Sequence, residues 1–123
     1  MKVSEVGFVY SEHYHRDNVG REAAIKRIGG DGNVIAMFYL DRGHMNGPEK
    51  HYITDNGIIV IVNAITNVLC TKLIARPAQL TRYRAMGLKN ELDEKTKRMK
   101  NWLMPQWLIA KATAHQRAGL NYT

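Results

Sequence analysis

The alternation of apolar and polar positions divides the chain into a short leading segment, a helical stretch, four strands and a helical C-terminal part. In residues 3–9, Val6 and Phe8 alternate with Gly7 and Val9, which predicts a short strand. Ser11 offers a helix N-cap, and residues 12–28 follow as a helix with Tyr14, Ala24, Ile25 and Ile28 as its buried stripe. Gly20 weakens its middle and points to two short pieces. Gly29-Gly30 stops it, and Asp31-Gly32-Asn33 is turn chemistry.

The next four runs read as strands: 33–40 (NVIAMFYL), 49–54 (EKHYIT), 58–63 (IIVIVN) and 68–75 (VLCTKLIA). Between them lie a Gly/Pro loop (DRGHMNGP), the strong turn Asp55-Asn56-Gly57 and the turn 64–67. None of these connections can hold a crossover helix, so an antiparallel meander is expected. The third run is apolar on both faces and is expected inside the sheet. Pro77 suits a first helical turn, with Leu80, Tyr83 and Met86 on one face and Gly87 as the stop. Asn90 caps a helix over 91–104, acidic first and basic later as the helix dipole favours. Pro105 opens a last helix, 106–117, ended by Gly119. Trp102, Leu103, Trp107, Leu108 and Ala112 are expected to dock this tail. The fold class is α+β: N-terminal helix, four-stranded antiparallel β-meander, C-terminal basic helices. One domain is expected over residues 1–123, with a helix-plus-sheet core in 1–87 and a basic helical tail in 88–123.

Charge adds a direction. The chain of 123 residues has a formal net charge of +7. Residues 1–71 hold seven basic and eight acidic side chains, net −1, and residues 72–123 hold eleven and three, net +8. Such asymmetry suggests a polyanionic partner, nucleic acid (RNA or DNA) first and an anionic membrane surface second, against the plain alternative of a solvated helix face. No apolar run approaches a membrane span, and the opening MKVSEVGFVYSEHYH, with Glu5 and Glu12, does not resemble a secretory leader. The single cysteine, Cys70, excludes an internal disulfide, and the expected location is cytoplasmic. Cys70 is read as a buried, inert strand thiol.

Candidate chemistry gathers where the sheet meets the helix after it. Period-2 alternation puts Glu49, His51 and Ile53 on one face of their strand. On the last strand it groups Cys70, Lys72 and Ile74 against Leu69, Thr71 and Leu73. Arg76 precedes the helix bearing Gln79, Arg82 and Tyr83. RNA cleavage without a metal needs a base for the ribose 2′-OH, an acid for the 5′ oxygen, and cations or hydroxyls for the phosphorane. Imidazole titrates near neutrality, arginine grips phosphate with two prongs, and threonine or tyrosine hydroxyls orient the same oxygens. The candidate catalytic set is therefore His51, Thr71, Arg76 and Tyr83, and the candidate nucleic-acid contacts are His44, Lys72, Arg82, Arg84, Lys97, Arg98 and Lys100. Glu49 is read either as orienting His51 or replacing one of the acid–base pair, or as blunting a strand edge. The others have structural alternatives too: His51 bonding across the sheet, Arg76 pairing with a loop carboxylate, Tyr83 packing its ring in the core. No cysteine, histidine and carboxylate cluster has ligand spacing, so neither metal nor organic cofactor is expected.

The stretch from Phe38 to Tyr83, with its His-bearing strand (His51, Thr54), Gly-led strand (Gly57), Thr/Lys strand (Thr71, Lys72) and ARPxQLxRY segment (Ala75 to Tyr83), resembles a small phage- and prophage-borne group. That group is similar to the barnase–EndoU–colicin–RelE class of metal-independent ribonuclease folds. The resemblance implies a four-stranded antiparallel sheet on N-terminal helices, a concave side facing nucleic acid, and cleavage of RNA by 2′-OH attack. Members of that class often use a Glu/His or His/His pair, of which only His51 is placed here, and the basic tail has no counterpart in the minimal fold. Two further readings stand beside it. One is a non-catalytic binder of nucleic acid or of a host nucleic-acid-processing protein, as a phage-encoded inhibitor is. The other is a homo-oligomeric structural or packaging component, in which Trp107, Leu108 and Ile109 face a partner chain.

Overall fold

A computed structural model of the chain describes residues 1–41, 43, 45, 47–90 and 102–120. Four strands, β1 (Val34–Leu40), β2 (Glu49–Thr54), β3 (Ile58–Asn63) and β4 (Leu69–Ile74), form one antiparallel sheet in the order β1-β2-β3-β4. Helices α1 (Glu12–Asp17) and α2 (Val19–Arg27) precede it, and α3 (Pro77–Asn90) and α4 (Trp107–Arg117) follow it. The fold is α+β, and the strands start and stop within one residue of the hydrophobic pattern. Cross-strand register aligns Phe38 with His51, His51 with Ile61, and Ile59 with Leu73, which sets one continuous face across the sheet.

Both faces are covered. Tyr52, Ile58, Val60, Val62 and Ile74 pack on Tyr14, Ala24 and Ile25 of α1 and α2. Ala36, Phe38, Ile53 and Ile59 pack on Leu80 of α3, on Met104, and on Leu108 and Ala112 of α4. This is why β3 is apolar on both sides: an inner strand between two helical layers has no wet face. On the face opposite α1 and α2, Leu80, Met104, Leu108 and Ala112 cover the sheet.

Several local expectations change. Residues 3–6 form a 3-10 helix (Val3–Val6) ended by Gly7 in the left-handed region, not a strand. Only Lys2 and Val9 make isolated bridges, to Asn33 and Val68. The N-terminal helix does come in two pieces, but it breaks at Asn18 rather than Gly20. Asn18 is buried, and its side-chain amide donates to the Tyr14 carbonyl, closing the end of α1. The Ser11 cap is present, its hydroxyl accepting from the Tyr14 N–H at 3.1 Å. Gly87 does not stop α3, which runs on to Asn90. A Cβ there would lie 3.2 Å from the Trp102 carbonyl oxygen and 3.4 Å from the Phe38 ring, so this glycine serves close approach, not termination.

Of the expected helix over 91–104, residues 91–101 lie outside the described residues. Trp102–Met104 is irregular, and the Trp102 N–H donates to the Met37 carbonyl on the outer side of β1 at 2.9 Å. Leu108 and Ala112 dock the tail as expected, joined by Met104, whereas Trp102, Leu103 and Trp107 are exposed. Gly119 follows α4 with a positive φ, as expected of a helix stop. Cys70 is exposed, not buried: it is the extra residue of a β-bulge between the pairs Ile61–Thr71 and Val62–Leu69. The bulge also moves Leu69 onto the face of Ile74, against the simple alternation. Among the described residues no helix is long and apolar enough to cross a membrane.

Candidate functional site

A cavity of about 290 Å³ opens between the sheet and α3. Its floor is the register-aligned face: Leu40, His51, Ile59, Ile61 and Leu73. Its wall is one helical stripe, Gln79, Arg82, Tyr83 and Met86, at positions i, i+3, i+4 and i+7. The ARPxQLxRY segment thereby acquires a physical reading. Pro77 starts the helix, and the Gln79 side chain accepts from the Arg76 N–H at 2.8 Å, capping the first turn. Leu80 is fully buried and anchors the helix to the sheet. With that anchor fixed, the 3.6-residue period turns Arg82 and Tyr83 over the cavity.

His51 stands at the centre, 2% exposed. Its Nδ1 lies 2.6 Å from Tyr83 Oη, and its Nε2 lies 3.2 Å from Glu49 Oε1. An ionised carboxylate only accepts, so Nε2 carries the proton and donates to Glu49. In the neutral ring Nδ1 is then the acceptor, and the Tyr83 hydroxyl donates to it. The Tyr83 ring is held against both His51 (centroids 5.7 Å apart) and Phe38 (5.2 Å). Glu49 is thus the orienting partner of His51. The edge-blunting alternative fails because β2 is an inner strand paired on both sides.

The other expected site residues are distributed unevenly. Arg82 is exposed at the cavity, and Arg76 is exposed just before α3 without lining it; neither has an ion pair among the described residues. The loop-carboxylate partner imagined for Arg76 is thus missing among those residues. Arg84 is half-buried, its Nε without a hydrogen-bond partner among the described residues. Thr71 does not line the cavity: its hydroxyl donates to Asn18 Oδ1 at 2.8 Å and accepts from Arg21 Nη1 at 2.6 Å, at the α1–α2 junction. The neighbouring bulge re-aims it. Lys72 is 3% exposed and turned inward, with Nζ 3.2 Å from Asp31 and 3.3 Å from Glu22. Burial pulls its ammonium toward the neutral form, but Tyr10, Asp31 and Glu22 outweigh that, and its pKa stands above the ordinary lysine value. A lysine so neutralised is a structural cation. His44, Lys97, Arg98 and Lys100 lie outside the described residues.

Tyr14 belongs to the same buried polar group as Lys72: its hydroxyl donates to Glu22. Burial first, then Glu22, push its phenol far above the ordinary range. Among the described residues no three histidine, cysteine or carboxylate side chains cluster as metal ligands. The residues that sequence reading left out of the site are the apolar floor and Met86. Their signal was the helical spacing counted from Pro77, together with the register that follows from the turn at Gly57. No protein-family model matches the chain, and neither a curated protein nor a solved structure matches it.

Proposed function

We propose that the protein is a nucleic-acid-directed, metal-independent ribonuclease-like protein that acts on RNA by 2′-OH attack at the cavity over His51. The observation that carries this reading is the hydrogen-bonded chain Glu49–His51–Tyr83, ending beside an exposed arginine, Arg82. The chain gives a proton a route from the cavity to a carboxylate-backed imidazole. Arg82, with Arg76 before the same helix, supplies charge for phosphate oxygens. Tyr83, and not Thr71, is the hydroxyl in reach of His51. Labelled total RNA incubated with the protein in EDTA tests the reading. Wild type is expected to cleave, and His51→Ala to lose about 10²-fold or more of the rate. Intact RNA with both proteins ends the catalytic reading.

One observation favours a second reading, a binder without catalysis. His51 is buried with both ring nitrogens bonded inside the protein, an arrangement that also serves a purely structural histidine. On that reading the exposed arginines hold nucleic acid or a host nucleic-acid enzyme. Both proteins would then shift RNA on a gel and cleave none.

A further inference from the structure

We infer that the Tyr83 hydroxyl is the group that meets the ligand in this cavity, and that Glu49 and His51 act through it as positioning residues. Only the identity of the ligand as RNA rests on the ribonuclease reading above. Three observations lead here. First, His51 lines the cavity but is 2% exposed, and both imidazole nitrogens are bonded within the protein, so the ring turns no unbonded nitrogen to a ligand. Second, Tyr83 is half-buried, lines the cavity and has its ring fixed between Phe38 and His51, which sets the position of Oη. Third, in the neutral ring, with Glu49 ionised, the donor and acceptor order runs one way. Glu49 accepts from Nε2–H, so Nδ1 accepts from Tyr83 O–H. The phenolic proton points inward at a base, and the oxygen lone pairs are directed away from it. A hydroxyl held so gives its proton inward while it takes a proton, or bonds an electrophile, on the other side.

With RNA in place the step balances. The ribose 2′-OH passes its proton to Tyr83 Oη as the phenolic proton moves to His51 Nδ1. The 2′ oxygen bonds to phosphorus, the bond from phosphorus to the 5′ oxygen breaks, and that oxygen takes a proton from water. The imidazolium then returns its Nδ1 proton to Tyr83 Oη as the Tyr83 hydroxyl gives its own proton to the hydroxide so formed, which restores the starting state. Arg82 is the cation beside the phosphate oxygens.

The test does not need RNA. The full chain is treated with p-toluenesulfonyl fluoride, and its tyrosines are mapped by mass spectrometry. The phenol oxygen bonds to sulfur, fluoride leaves, and the phenolic proton goes to His51. Tyr83 is expected to react roughly tenfold faster than the exposed Tyr10 near neutral pH, with its rate falling in mildly acidic solution where imidazole is protonated. His51→Phe, which keeps ring volume, should bring Tyr83 down to the rate of Tyr10 or below. Glu49→Gln, at a less buried position, should lower it several-fold, with circular dichroism checking that each variant is folded. Tyr83 reacting no faster than Tyr10 in wild type, or unchanged in both folded variants, overturns the inference. An RNA arm separates the two readings. Cleavage retained in full by Tyr83→Phe overturns the inference and leaves the ribonuclease reading standing. His51-dependent labelling of Tyr83 by a wild type that cleaves no RNA does the reverse.

Discussion

Lys72 shows how burial redefines a charged residue. In an alternating strand it reads as a surface cation, yet it is enclosed between Asp31, Glu22 and Tyr10, with Nζ 5.5 Å from the centre of the Tyr10 ring. Lys72→Ala is expected to cost about 2 kcal/mol of stability in urea unfolding, below the 3–5 kcal/mol of a fully buried pair because both carboxylates are part-exposed. It should leave RNA affinity unchanged. The pH dependence follows from direction. Lys72 and Tyr14 both have folded pKa values raised above their unfolded ones. At high pH the folded state therefore holds more protons than the unfolded state, and stability falls as pH rises. Both contributions are complete at neutrality and are lost above about pH 10, the ordinary range of both groups. Thermal melts should be flat through neutral pH and fall above it, and Tyr14→Phe should flatten that fall. An equal alkaline fall in Tyr14→Phe would show that this buried polar group does not govern it.

At the scale of elements, α3 both carries the site and holds the second helical layer to the sheet. Its glycine at 87 lets the Trp102 backbone approach, and the Trp102 N–H reaches the Met37 carbonyl of β1. Gly87→Val inserts two methyl groups and a Cβ into that contact and is expected to destabilise by about 1–3 kcal/mol, as overpacking does. The readout is a lower unfolding midpoint with a change in tryptophan fluorescence in the native state. A midpoint equal to that of wild type would mean that the packing there yields freely. The same element shows how much of the site is legible from spacing. Pro77, Leu80 and Tyr83 place the helix and its inner face by their period alone. The end of the helix is not legible in the same way, because a glycine that permits packing and a glycine that stops a helix are the same letter. Only the Trp102 backbone distinguishes them.

For the whole molecule, the +8 of residues 72–123 is not all available to a partner, since Lys72 is neutralised internally. Among the described residues Arg82 is an exposed cation lining the cavity, and Arg76 is exposed just before α3. RNA binding is expected to weaken steeply between 50 and 200 mM salt. Arg76→Ala together with Arg82→Ala should reduce the slope of log affinity against log salt by about 1.4, near 0.7 for each phosphate of a single strand that is no longer neutralised. Gel shifts over a salt series measure it, and a slope unchanged in the double variant would move the binding surface elsewhere. Leu108 and Ala112 belong to the same buried cluster as Phe38 and Ile59, so α4 forms part of the second core and does not stand apart as an added binding arm.

Sequence alone determined the elements that depend on neighbours in the chain: the four strands, the turn at Gly57, the helix from Pro77, the cap at Ser11. Period and turn chemistry are local, and a short-range code suffices for them. It also placed His51 and Tyr83 in one candidate set by chemistry. What only the tertiary structure decided are the relations between elements. Packing of α3 on the sheet brought Tyr83 over His51, beside the Glu49 that strand alternation had already put on the same face. The bulge at Cys70 turned Thr71 to Asn18 and Arg21. Met104, Leu108 and Ala112 packed on the second face of the sheet. Each depends on which side chain of a distant element fills the space opposite, and a buried polar group takes the partner that packing leaves within reach.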